Sequence, residues 1–172
     1  ILREAFDVVG KKERISVIPQ PTEKFMTFSI GDLKFKDSFQ FLASSLEKLV
    51  DGLKNEEEGA DKLANFHSMK KEFTTPRHLE LICQKGVYPY EWVDGEEKFN
   101  HEGLPPREAF YSKLKLSDIE DEEYEHAQQV YTEFGCKTFR DYHDLYLKSD
   151  VLLLAYVFEN FRNTSIQHYK LD

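Results

Sequence analysis

A chain of 172 residues with 40% hydrophobic and 14% aromatic residues can bury a core of its own, which argues against global disorder and for one domain or a large piece of one. No apolar run approaches the roughly 18 residues that a bilayer-spanning helix needs, so no membrane partner is expected. The net charge of −9 counts mildly against a nucleic-acid binder, which more often carries a basic patch.

The acids, however, are clustered. SDIEDEEYEH, Ser117 to His126, holds six acids and no Lys or Arg, and Glu56 to Glu58 is a second block. Runs of this kind are usually solvated faces, and they leave the remainder nearer neutral, so the global charge does not decide the partner. Cys83 and Cys136 fit no metal or CxxC spacing and suggest a reducing compartment. The six histidines form no HxxxH or HExxH pair, so no zinc site is expected.

ILREAFDVVGKK, at the start, has no basic leader followed by an apolar stretch. It opens in mid-pattern without Met and reads as the end of a helix with Gly10 beyond it, so the chain is expected to be a fragment. Arg14 to Pro19 reads as a short strand. Lys24 to Gln40 is the clearest β signal: Met26, Phe28 and Ile30 alternate with polar residues, then Leu33 and Phe35 do the same. Gly31-Asp32 between them suits a two-residue hairpin turn of the primed kind. Continued parity would turn Asp37 and Phe39 to the apolar face.

Ser44-x-x-Glu47 is a capping box that opens a helix to about Leu53. Residues 54–65 read as a polar loop. Pro76 to Gln84 suits a short helix stopped by Gly86. Residues 85–110 carry Pro89, Gly95, Gly103, Pro105 and Pro106 among Tyr88, Tyr90, Trp92, Phe99 and Phe110, and read as ordered but irregular. Ser117-x-x-Glu120 caps a helix to Phe134, with Gly135 at its end. Thr138-x-x-Asp141 caps the last helix, expected to run to about Arg162. The expected class is α/β, an antiparallel hairpin packed by helices.

Three spots could carry chemistry. In the last helix, steps of 100° put Phe139, Tyr142, Tyr146, Asp150, Leu153 and Val157 on one face. Asp150 thus interrupts an apolar stripe, where an unpaired carboxylate is costly unless a metal ion or donors receive it. Alternatively, Ser149-Asp150 caps a new helical segment and Tyr146 is only packed. Lys85-Gly86-Val87-Tyr88-Pro89-Tyr90 could meet a phosphate and stack a base, or could simply end a helix. Ser38 could donate to a phosphate and Phe39 could stack, or both could belong to a strand end. Glu122 and Glu123 are expected to face solvent.

Taken together and in order, KFKDSFQFLASSLEKLV, QKGVYPYEW and DYHDLYLKSDVLLLAYVFENF resemble segments of the exonuclease domain of protein-primed family B DNA polymerases. LPPREAFYSKL and EDEEYEHAQQV resemble the group encoded by organellar plasmids, phages and self-synthesising Polinton or Maverick elements. The likeness covers roughly residues 14 to 172.

The resemblance implies a ribonuclease H-like fold that trims single-stranded 3′ ends for proofreading during DNA replication, with two Mg²⁺ or Mn²⁺ ions. It makes Asp150 a metal ligand, Tyr146 the group orienting the attacking water and Lys85 a phosphate contact. It makes Ser38, Phe39 and Tyr90 ligands of the frayed strand. It implies primer-template DNA, dNTPs and a terminal protein as partners of the parent polymerase. The family's Asp-x-Glu motif, and its Asn ahead of a Tyr/Phe-Asp pair, do not precede the hairpin here and would lie before Ile1. The palm motifs would lie after Asp172. On this reading the piece alone hydrolyses nothing. The competing readings are a noncatalytic α/β interaction domain domesticated from a mobile element, and a nuclease unrelated to polymerisation.

Overall fold

The computed structural model describes residues 15–20, 24–54, 63, 66–84 and 86–171. The expected helix end at residues 1–10, most of the polar loop at 54–65, and Lys85 lie outside them. The chain is a small mixed α/β protein with an antiparallel hairpin and helices. It divides into two compact units, Ile1–Ser44 and Ser45–Asp172.

The first unit holds a three-stranded antiparallel sheet in the order β1-β2-β3, with β1 Ile15–Gln20, β2 Lys24–Ile30 and β3 Leu33–Lys36. The β1–β2 register shifts between Ile18 and Pro19, where proline brings no N–H to the ladder. Ile30 pairs with Leu33 across Gly31-Asp32. Gly31 has φ 56 and Asp32 has no positive φ, which fits the turn in which glycine leads. Phe28 and Phe35, paired across the strands, stack with centroids 4.5 Å apart.

The expected continuation of strand parity through Phe39 does not hold. The strand ends at Lys36, and Asp37 caps a 3-10 turn, Ser38–Gln40, by accepting from the Phe39 N–H at 3.0 Å. An aspartate that satisfies the backbone two residues on competes with the ladder and wins here. Asp37 therefore faces solvent, and Phe39 is 59% exposed.

In the second unit, α1 spans Leu46–Asp51 and is capped by Ser45, one residue later than expected. Ser44 is occupied in a turn, its N–H bonded to the Leu42 carbonyl at 2.7 Å, while Ser45 has the extended backbone that a cap needs. Helix α2, His67–Glu72, has no capping side chain and no sequence signal; Phe66, Met69 and Phe73 bury it instead. Helix α3, Pro76–Ile82, starts on proline and ends at Cys83, before the expected Gln84.

Residues 86–110 form an ordered irregular segment with 3-10 turns at Glu96–Asn100 and Arg107–Phe110. Helix α4, Asp121–Glu133, begins at Glu120 rather than Ser117, because Ser117 is engaged in a backbone bridge with Ser112. Gly135 ends it with φ 63, as its position suggested. Helix α5, Phe139–Tyr169, opens where the Asp141 carboxylate accepts from the Thr138 N–H at 2.9 Å. It runs past the expected Arg162 and stops at Lys170, φ 59.

The core gathers Leu81 of α3, Ala127 and Val130 of α4, and Phe139 and Tyr142 of α5. Trp92 meets the Phe139 ring edge-on at 5.1 Å, and Tyr88 and Phe99 close around it. The irregular segment is thus held by its own aromatics. Phe139 is fully buried, and truncating such a side chain costs about 3–5 kcal/mol. Among the described residues, no helix is long and apolar enough to cross a membrane.

Candidate functional site

The N-terminal half of α5 lies along the strip Gly86–Tyr90, and their pairing follows helical spacing. Tyr142, His143 and Tyr146 project toward the strip as neighbours one turn apart. The buried Tyr142 hydroxyl donates to the Val87 carbonyl at 2.6 Å. The Tyr88 hydroxyl bonds His143 Nδ1 at 2.7 Å, and the Tyr90 hydroxyl bonds that of Tyr146 at 2.7 Å. The Tyr88 and Tyr146 rings lie 4.8 Å apart, and Tyr90 meets Tyr146 edge-on at 6.4 Å.

Gly86 is part of this packing and not only a helix stop. A Cβ there would stand 2.7 Å from Cε2 and 3.0 Å from Cδ2 of Tyr146, so the bare glycine is what lets the ring lie on the backbone.

Asp150 follows Tyr146 by one turn and is half-buried. Burial raises its carboxyl above the ordinary carboxylate range, and a hydrogen bond from the Tyr146 hydroxyl works the other way. Tyr146 is pushed well above the ordinary phenol range, first by burial, then by its bond with Tyr90 and the charge of Asp150. The phenol therefore stays protonated and acts as a neutral donor to the carboxylate. Burial also pushes the Tyr88 phenol up, to about 12.

A cavity of ≈ 300 Å³ opens beside the pair, lined by Glu47, Cys83, Gly86, Tyr90, Tyr146 and Asp150 among others. Burial pushes the Cys83 thiol up to about 11, so it is a neutral wall and not a nucleophile at neutral pH.

Of the residues expected at a site, Tyr90, Tyr146 and Asp150 come together. Lys85 lies outside the described residues, next to Gly86 in sequence. Ser38 and Phe39 belong to the first unit, where Ser38 is half-buried in the 3-10 turn. The reading of Ser149-Asp150 as a cap after a helix break is corrected. Helix α5 is continuous, and the Ser149 hydroxyl donates back to the Leu145 carbonyl. Glu122 is exposed as expected; Glu123 is half-buried. The Tyr88–His143 pair was not foreseen, although His143 stands one turn before Tyr146 and Tyr88 alternates with Tyr90 in VYPY.

The described residues hold no group of three or more His, Cys, Asp or Glu side chains that could bind a metal ion. Asp150 offers one carboxylate, so the described side chains alone do not fit a two-ion centre. No protein-family model, curated protein or solved structure matches the chain.

Proposed function

We propose that this chain is part of the proofreading module of a DNA-directed DNA polymerase of the protein-primed family B kind, built on a ribonuclease H-like exonuclease fold, with the frayed single-stranded 3′ end as its ligand. The observation that carries the reading is the half-buried Tyr146–Asp150 pair, laid on Gly86 and bonded to Tyr90 at 2.7 Å. A structural helix gains nothing from a carboxylate desolvated in an apolar stripe with one phenol for support. A strand end needs such groups: aromatic faces for the base, and a fixed polar pair for the reacting oxygen.

The roles follow from the chain's own atoms. The Tyr90 hydroxyl marks a position 2.7 Å from Tyr146 where a water or ligand oxygen could bond to the phenol. Tyr146 donates to Asp150 and so accepts at that position, where a water or ligand hydroxyl would take the place of the Tyr90 hydroxyl. Tyr90 is 65% exposed, and its ring can turn to stack a terminal base. The resemblance assigns Lys85 to the adjacent phosphate, Ser38 and Phe39 to the strand, and dNTPs and a terminal protein to the parent enzyme. With Asp150 as the one carboxylate of the pair, the described side chains do not complete a Mg²⁺ or Mn²⁺ site. The chain by itself is therefore expected to hold a 3′ end without hydrolysing it.

Fluorescence anisotropy with a short labelled single strand tests the reading. Stacking is worth about 1–3 kcal/mol per base, so Tyr90→Ala is expected to weaken binding roughly tenfold. Equal affinity of wild type and Tyr90→Ala would favour a noncatalytic interaction domain. Magnesium-dependent trimming of the strand by the chain alone, abolished by Asp150→Ala, would contradict the expected lack of hydrolysis.

A further inference from the structure

Between the 3-10 turn Arg107–Phe110 and α4 the chain reads YSKLKLSD. Ser112 and Ser117 pair through backbone hydrogen bonds of 3.0 and 3.4 Å and close a tip, Lys113–Leu116. The tip is held from both sides. The Lys115 N–H donates to Ser112 Oγ at 3.2 Å, and the Lys113 N–H donates to Glu91 Oε1 at 2.8 Å.

What the tip presents is unusual for a loop so firmly held. Leu114 is 93% and Leu116 78% exposed. Leu116 also has φ 54, a left-handed conformation that is strained for any side chain carrying a Cβ. Lys113 and Lys115 are exposed and have no ion-pair partner among the described residues. Two leucines and two unpaired ammonium groups thus stand on one fixed stalk in a chain of net charge −9. Within the unit they gain no burial and no charge partner, so their use lies with a partner that is both apolar and anionic.

We propose that Lys113–Leu116 is a wedge for the end of a DNA duplex. Leu114 and Leu116 lean on the terminal base pair, and Lys113 and Lys115 hold phosphates on either side. Glu91, which anchors the stalk, directly follows Tyr90, and Tyr90 touches Tyr146 at 2.7 Å. A strand separated at the tip is therefore released beside the Tyr90–Tyr146–Asp150 site. The inference rests on the 3′-end reading and adds how that end becomes single-stranded.

An anionic membrane would also combine apolar and negative surface, but it is a plane. It would draw Asp118, which directly follows the closing Ser117, toward like-charged headgroups.

The test uses the full chain and a primer–template duplex with aminopurine at the primer's terminal pair. Wild type is expected to raise aminopurine fluorescence by unpairing that base. Leu114→Ser/Leu116→Ser is expected to lose the rise at saturating protein while binding a single strand within about twofold of wild type. Lys113→Ser/Lys115→Ser is expected to weaken junction binding about tenfold and to lower the salt slope by about two. The tip is exposed, so unchanged melting of both variants certifies folding. Absence of the rise in wild type, or an undiminished rise in the leucine variant, overturns the proposal. So does capture of wild type, but not the leucine variant, by phosphatidylserine vesicles without unpairing. Failure of the 3′-end reading is read separately, as equal single-strand binding by wild type and Tyr90→Ala.

Discussion

Gly86→Ala adds one methyl group where the structure has no space for it. The new Cβ would lie 2.7 Å from Tyr146 Cε2 and 3.0 Å from Cδ2, against 3.4–4 Å for ordinary contact. The ring must retreat by several tenths of an ångström. It is not free to do so, because the tilted Tyr88 ring lies against it at 4.8 Å and Tyr90 and Asp150 bond its hydroxyl. Overpacking against a held side chain costs about 1–3 kcal/mol. At this chain length that corresponds to a fall of roughly 2–12 °C in Tm. Gly52→Ala is the control, since its Cβ would meet carbonyl oxygens at an ordinary 3.5 and 3.6 Å. Urea unfolding of the two variants gives the comparison. A double-mutant cycle gives the cause: with Tyr146→Ala present, Gly86→Ala should cost less than about 0.5 kcal/mol. Equal stability of Gly86→Ala and wild type, or an undiminished cost without the Tyr146 ring, would refute the packing argument.

Three further outcomes are expected. The folded-state carboxyl of Asp150 titrates above its ordinary 3.8, so it contributes most below that value, and its contribution is lost as pH rises through the raised pKa. Asp150→Asn should therefore gain stability relative to wild type between pH 3.5 and 7; urea midpoints that keep a constant gap across this range would contradict it. Tyr142→Phe leaves the Val87 carbonyl without its 2.6 Å donor and should cost about 1–3 kcal/mol in thermal or urea unfolding, whereas an unchanged midpoint would show the bond to be dispensable. Burial pushes the thiols of Cys83 and Cys136 up to about 11, so both should react slowly with a disulfide reagent at pH 8 in the native chain and quickly in urea; fast native labelling of Cys83 would contradict its place in the wall.

Elements whose signal is local were legible in the sequence. The hairpin around Gly31-Asp32 and the start of α5 at Thr138 each rest on a few adjacent residues. Where two local options competed, the sequence alone could not choose between them. Asp37 could continue a strand or cap a turn, and Ser117 could cap a helix or bridge to Ser112; the turn won in the first and the bridge, five residues back, in the second. Helix α2 was illegible because burial of Phe66, Met69 and Phe73 defines it, with no cap or propensity to mark it. At the site, Asp150 was visible as a carboxylate in an apolar stripe. The partners across from it were not, because Tyr88–His143 and Tyr90–Tyr146 join residues more than fifty positions apart.

The central claim is that a strand's 3′ end sits against Tyr90 and Tyr146. Photocrosslinking tests it most directly, with a thiothymidine at the 3′ terminus of a single strand and the adduct mapped by mass spectrometry. The expected adduct falls in Val87–Tyr90 or on Tyr146 and disappears when the thiothymidine is moved to the 5′ end. Adducts confined to other peptides, or the same adduct from either end, would contradict it.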